Sequence, residues 1–214
     1  MITLRPLLRH MKLFKERRYL EERMAKRFGR SSREFRLIMH AADAIRDTHR
    51  GKGKRKNDES RLVHEREMAG IADFFDVNDW VVYIVIFSHD GPEDYRRHGW
   101  SFKRVKRDYG KAAYYDVRAL TNPVRCKTTS DHSYNMLLVQ QWRKGGKRTI
   151  FIKGIDRLHC LLNPWSGGRH RMIKKKNATL RYLIPLMVEF GLNTYPLVTA
   201  TGILQRKYRL TQSI

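Results

Sequence analysis

Apolar positions along this chain recur mostly at intervals of three and four, the spacing of helices that bury one face. Between residues 1 and 30 the apolar side chains Leu13, Phe14, Tyr19, Leu20, Met24 and Phe28 are interleaved with bases, predicting one appended basic helix. Gly29-Arg-Ser-Ser32 breaks this run, and Ser31 or Ser32 is placed to cap the next element. Over Glu34–Arg50, Phe35, Ile38, Met39, Ala42 and Ile45 share one face of a helix. Gly51–Ser60 is a basic, glycine-containing loop. Helices are expected over Arg61–Phe75 and Asn78–Ser88, although β-branched residues make Val81–Phe87 read as a strand by local propensity. Trp100–Tyr109 and Lys111–Leu120 read as short helices divided by Gly110. Ser130–Arg143 and Thr149–Leu162 flank a turn at Lys144-Gly-Gly146. Trp165–Arg169 reads as a loop, followed by a late helix, Lys174–Phe190, that contains Pro185.

Two apolar runs end abruptly in polar residues. Trp80–Phe87 runs into Ser88-His89-Asp90, and Ile150–Ile155 runs into Asp156-Arg157-Leu158-His159. A buried polar group needs a partner, and a metal ion satisfies both an imidazole and a carboxylate. With His64, the residues His89, Asp90 and Asp156 make a mixed nitrogen and oxygen set suited to a divalent ion that keeps open positions for water. Gly91-Pro92 bends the chain so that Glu93 and Asp94 follow one turn later, where either can orient water or accept its proton. Which of the two is the base stays open at this point, because repulsion and a nearby cation push their pKa values in opposite directions. Arg55 and Lys56 are the best phosphate clamps, with Lys54 and Lys52 next. Arg157 is expected to pair with a buried carboxylate, and Tyr134 and Tyr182 to pack in the core. His10, His40, His98, His132 and His170 read as surface or packing residues, and His49 and His159 as structural.

Composition narrows the setting. A chain of 214 residues with ordinary apolar content can bury a real core, which argues against wholesale disorder. Cys126 and Cys160 form no CxxC pattern, so a reducing, cytoplasmic compartment is expected. No apolar run is long enough to cross a bilayer, and the N-terminus lacks a continuous signal-peptide core. The formal charge of +24 concentrates polyanions, with bases densest in residues 1–56 and again at Arg96–Arg107, Arg143–Arg148 and Arg169–Lys176. Most of these clusters read as a solubilising surface, but a small polyphosphate needs only a handful of cations, so the excess points to some contact with nucleic acid, a ribosome or another acidic partner.

Spaced blocks then add a resemblance. Arg55 precedes His64 by nine residues, within the basic segment His49–Lys56 and the helix after it. Phe87-Ser-His-Asp-Gly-Pro-Glu-Asp94, Ala119-Leu-Thr121, Ile152-Lys-Gly-Ile-Asp-Arg-Leu-His159 and Thr179-Leu-Arg-Tyr-Leu-Ile-Pro-Leu186 with Gly191 follow in order. Together they resemble the HD-superfamily hydrolase domain of the RelA/SpoT alarmone enzymes and its single-domain small alarmone hydrolases, over about residues 36–192. The resemblance implies helix rather than strand over Val81–Phe87, and so an all-α HD-domain bundle. It implies a basic helical extension at 1–30, a phosphohydrolase domain at 31–195 and a basic tail at 196–214, with no synthetase region after residue 192. The implied cofactor is Mn2+, with other divalent transition metals open, and the implied substrate is the phosphorylated guanine nucleotide ppGpp or pppGpp of the stringent response. By the same analogy Cys160 and Asn163 line the base pocket. Cys160, Arg61, Glu65 and Ala178 depart from the family pattern. They leave two alternatives: a hydrolase for another phosphorylated nucleotide (a 3′-phosphate dinucleotide or a cyclic signal), and a basic HD-like module that binds RNA or a ribosome.

Overall fold

The computed structural model describes residues 4–49, 61–163 and 168–208, which are helical and contain no strand. In chain order the helices are α1 (Arg5–Leu13), α2 (Arg17–Phe28), α3 (Arg33–His49), α4 (Arg61–Phe74), α5 (Trp80–Ser88), α6 (Gly91–Asp94), α7 (Phe102–Leu120), α8 (Asp131–Leu162), α9 (Gly168–Ala178), α10 (Ile184–Glu189) and α11 (Tyr195–Tyr208). The chain divides into two compact units, Arg5–Asn122 and Pro123–Ile214 together with Met1–Leu4.

The first unit is organised around α5. Val81 through Ser88 are all buried, and α3, α4 and α7 pack against this helix. A helix enclosed on every side is hydrophobic on every side, which removes the periodic signal that would mark it as a helix. Its β-branched residues lean toward a strand, but the described residues offer no strand to pair with, whereas a helix satisfies its own backbone. Asp79 fixes the start by accepting from the Val81 amide at 3.0 Å. The strand-like run is therefore a helix, as the family resemblance implies.

The N-terminal segment departs from the expected single helix. After α1 the Phe14, Lys15 and Glu16 amides turn back onto Met11, Lys12 and Leu13 carbonyls at 3.1, 3.2 and 3.1 Å, and α2 begins afresh. The break lets Leu7, Met11 and Phe14 bury against α4 while Leu20 and Met24 of α2 are buried as well. Gly70 of α4 lets the segment approach closely, since a Cβ would lie a tight 3.0 Å from the Phe14 ring and 3.1 Å from Met11 Cα. A polar lock reinforces the docking. Asp73, whose side chain is fully buried, meets His10 Nε2 at 2.9 Å, Arg23 Nη2 at 2.8 Å and Arg27 Nη2 at 2.9 Å. Ser32 caps α3 by accepting from the Phe35 amide at 3.0 Å.

In the second unit α8 carries the longest apolar series and bends at Gly146, whose φ of 82° is cheap only for glycine. Gly110 bends α7 in the first unit in the same way, at φ 88°. Both glycines stand where the sequence predicts a break. The late helix begins earlier than expected, at Gly168, and is interrupted by a π-helical turn over Thr179–Leu183. Pro185 has no amide hydrogen and its ring clashes with the carbonyl one turn back, and the widened turn absorbs both. Residues 195–208, largely within the expected tail, form α11, with Leu197, Ala200 and Leu204 buried.

Candidate metal centre

Three chemistry-bearing residues of the first unit converge. His64 lies in the first turn of α4, His89 caps the end of α5, and Asp90 follows it. One ligand atom from each lies within 4.8 Å of the other two. His64 is 4% exposed and His89 8%, with ring centroids 5.7 Å apart and planes inclined at 56°. The buried α5 brings His89 here because its register continues one residue past Ser88, the His89 amide bonding to Val85 O at 2.8 Å.

The orientation of His89 favours a cation. Its Nδ1 lies 2.8 Å from the Ile86 carbonyl. A carbonyl only accepts, so Nδ1 carries the hydrogen in the neutral ring and Nε2 keeps its lone pair. That Nε2 lies 3.1 Å from Asp90 Oδ1. A lone pair and a carboxylate oxygen repel at this distance unless a proton or a metal ion lies between them. A backbone carbonyl behind a ligating histidine is a common outer partner of metal sites. The donor set therefore fits a divalent ion with borderline nitrogen and oxygen preference.

Behind this cluster the chain is braced. Trp100 stacks on Gly91 so closely that a Cβ would run into its ring, and Trp100 Nε1 donates to Thr48 Oγ1 at 2.7 Å. Glu93 and Asp94 are exposed on α6, one turn beyond His89 and Asp90, with the Asp94 amide on Asp90 O at 2.8 Å. Glu93 is held from the far end of α7. The Asn122 amide donates to its Oε2 at 3.1 Å, and Asn122 Nδ2 donates to Oε1 at 3.0 Å. Sequence reasoning missed Asn122; its only signal is adjacency to the Ala119-Leu-Thr121 block.

Asp156 belongs to the second unit, on α8. Lys153 Nζ donates to its Oδ2 at 2.7 Å and Cys160 Sγ stands 3.7 Å from Oδ1. Cys160 is buried, and Asn163 Nδ2 lies 3.1 Å from His159 Nε2 at the end of α8. Tyr134 and Tyr182 are half-buried, Tyr182 sharing a 2.8 Å bond with His132. Arg55, Lys56 and Lys54 lie outside the described residues. Three histidines expected to be surface or packing residues have specific partners: His10 bonds to Asp73, His40 Nδ1 lies 3.2 Å from the Tyr109 hydroxyl, and His132 Nδ1 lies 2.8 Å from the Tyr182 hydroxyl.

No protein-family model matches the sequence, and no curated protein matches it. Among solved structures, a metazoan ortholog of SpoT that hydrolyses ppGpp and plays a role in starvation responses superposes with a TM-score of 0.62. The chain has the fold of that hydrolase. At 19% identity the superposition covers 82% of this chain and 97% of the SpoT ortholog. The SpoT-type fold bears out the all-α architecture and the family resemblance at the level of fold. No helix among the described residues is long and apolar enough to cross a membrane.

Proposed function

We propose that this protein is a metal-dependent phosphohydrolase that removes the 3′-pyrophosphate of ppGpp or pppGpp. The observation that carries the reading is the convergence of His64, His89 and Asp90 inside a fold shared with a ppGpp hydrolase. Asp156 completes the ligand set in this reading, and Mn2+ is the expected ion. When bound, such an ion acidifies water and neutralises charge on phosphoryl oxygens.

The chain's own residues supply position and proton transfer. Glu93, held by Asn122, and Asp94 orient a water toward the phosphorus and take its proton. The water oxygen bonds to phosphorus, the bond from phosphorus to the ribose 3′-oxygen breaks, and that oxygen leaves protonated. GDP or GTP and pyrophosphate result. Phosphoryl transfer asks little covalent chemistry of a protein, so positioning dominates. Arg55, Lys56 and Lys54 clamp phosphates, and Cys160 and Asn163 border the base. A cytoplasmic location suits both the nucleotide and the free thiols.

A second reading keeps the centre and changes the substrate. It rests on Cys160, whose thiol faces Asp156 where the resembled family has an amide. Purified protein assayed with Mn2+ against ppGpp, a 3′-phosphate dinucleotide and a cyclic dinucleotide separates the two. Pyrophosphate release from ppGpp alone supports the first reading; turnover of only another member overturns it.

A further inference from the structure

Helix α7 carries a surface that the hydrolase reading does not use. Its aliphatic residues Val105, Val117 and Leu120 are buried, so the exposed face contains rings and cations. Tyr115 is 61% exposed. Its neighbour Tyr114 is held between partners: the ring centroids of Tyr114 and Tyr115 are 5.1 Å apart, and Phe102 meets Tyr114 edge-on at 6.3 Å. Lys106 Nζ sits 5.7 Å from the Tyr114 ring centre, and Arg118 donates to the Tyr114 hydroxyl at 3.1 Å. Between Arg96 and Arg118 eight Lys and Arg face two Asp. Asp116 is buried, and Asp108 is engaged by Arg107 at 2.6 Å and Arg104 at 3.3 Å. The exposed field is thus almost wholly positive.

We propose that this face of α7 binds single-stranded nucleic acid, with a base stacked on Tyr115 and the flanking phosphates on Lys106 and Arg118. An exposed ring beside fixed cations is the arrangement of sequence-tolerant single-strand binders. A lipid surface is the poorer fit, because α7 exposes no aliphatic side chain larger than alanine and membrane-lying helices bury an aliphatic face. A purely acidic protein partner would use the cations and leave the ring without a role. The proposal stands independently of the hydrolase reading.

The test is fluorescence anisotropy of the full chain with a labelled oligouridine at several salt concentrations. Tyr115→Ala weakens binding about tenfold, and Tyr115→Phe restores it, since only the ring is needed. Lys106→Gln with Arg118→Gln flattens the dependence of log affinity on log salt by about 1.4, two phosphates at about 0.7 each. Thermal melting of Tyr115→Ala and Tyr115→Phe separates a lost contact from a lost fold. Equal affinity for the oligouridine, a duplex, polyglutamate and anionic vesicles, with Tyr115→Ala binding as the parent does, overturns the proposal.

Discussion

The Nδ1 of His89 stands 2.8 Å from the carbonyl of Ile86, one turn back on the same buried helix. That bond fixes which nitrogen faces Asp90, so in the proposed centre the α5 terminus is preorganised to meet a cation. His89→Gln and Asp90→Asn each remove one ligand, and each weakens Mn2+ binding by at least about tenfold, the scale on which even outer partners act. Isothermal titration with Mn2+ reads this directly. Unchanged affinity in both variants would mean that the ion sits elsewhere.

In the proposed function Asn122 is a positioning residue: its backbone amide donates to Glu93 Oε2, and its Nδ2 donates to both carboxylate oxygens. Asn122→Ala lowers kcat on ppGpp about tenfold with little change in KM, because binding contacts are untouched. Asn122→Asp sets a second carboxylate beside Glu93, and the repulsion between the two moves the acid limb of the pH–rate profile upward. A profile that stays put in Asn122→Asp removes Glu93 from the proton transfer.

Asp73 makes stability depend on acid. Burial pushes its carboxyl up, but hydrogen bonds from His10 and Arg23, the Arg23 charge and the Arg27 hydrogen bond outweigh this and hold it at about 2, against 3.8 ordinarily. The depressed value means the folded state holds the proton less readily than the unfolded chain. The contribution, about 2 kcal/mol at 1.36 kcal/mol per unit, is present above pH 4 and lost as pH falls toward 2. Asp73→Asn removes it and strands three donors, destabilising by about 3 kcal/mol at neutral pH. Urea unfolding of both proteins at pH 7 and pH 2.5 checks this: the gap narrows at low pH, and a gap that stays constant contradicts the ion-pair lock.

Gly91 has no room for a methyl group, because the Trp100 ring occupies the space a Cβ would take. Gly91→Ala costs about 1–3 kcal/mol of overpacking and lowers Tm by several degrees. It also displaces the turn between Asp90 and Glu93, so turnover falls with stability. A variant with parental Tm and turnover would show that Trp100 yields freely.

How far the sequence foretells this molecule depends on what each residue's signal is made of. A helix with one buried face, such as α3, announces itself by spacing, and the breaks at Gly110 and Gly146 follow from glycine's tolerance of positive φ. The enclosed α5 has no periodicity to read, so only the order of motifs around it tells helix from strand. His64, His89 and Asp90 are legible for the same reason. Partnerships between distant elements are not. His10 and Asp73 are 63 positions apart, and Asn122 and Glu93 are 29 apart. No local pattern encodes such pairs, because they depend on how α1, α2 and α7 come to lie against their neighbours. The split of the N-terminal segment into α1 and α2 escapes notice likewise, since the turn at Phe14 is driven by burial against Gly70 rather than by a Gly or Pro of its own.

In the proposed function the histidine–aspartate cluster is a cation-dependent hydrolytic centre. Metal-stripped protein mixed with ppGpp and titrated with Mn2+, with products separated by ion-exchange chromatography, tests it most directly. GDP and pyrophosphate are expected in equal amounts, released at a rate that saturates with Mn2+ and is abolished in His89→Gln at unchanged helicity. Turnover that persists in excess chelator, or ppGpp left intact by Mn2+-saturated protein, would contradict it.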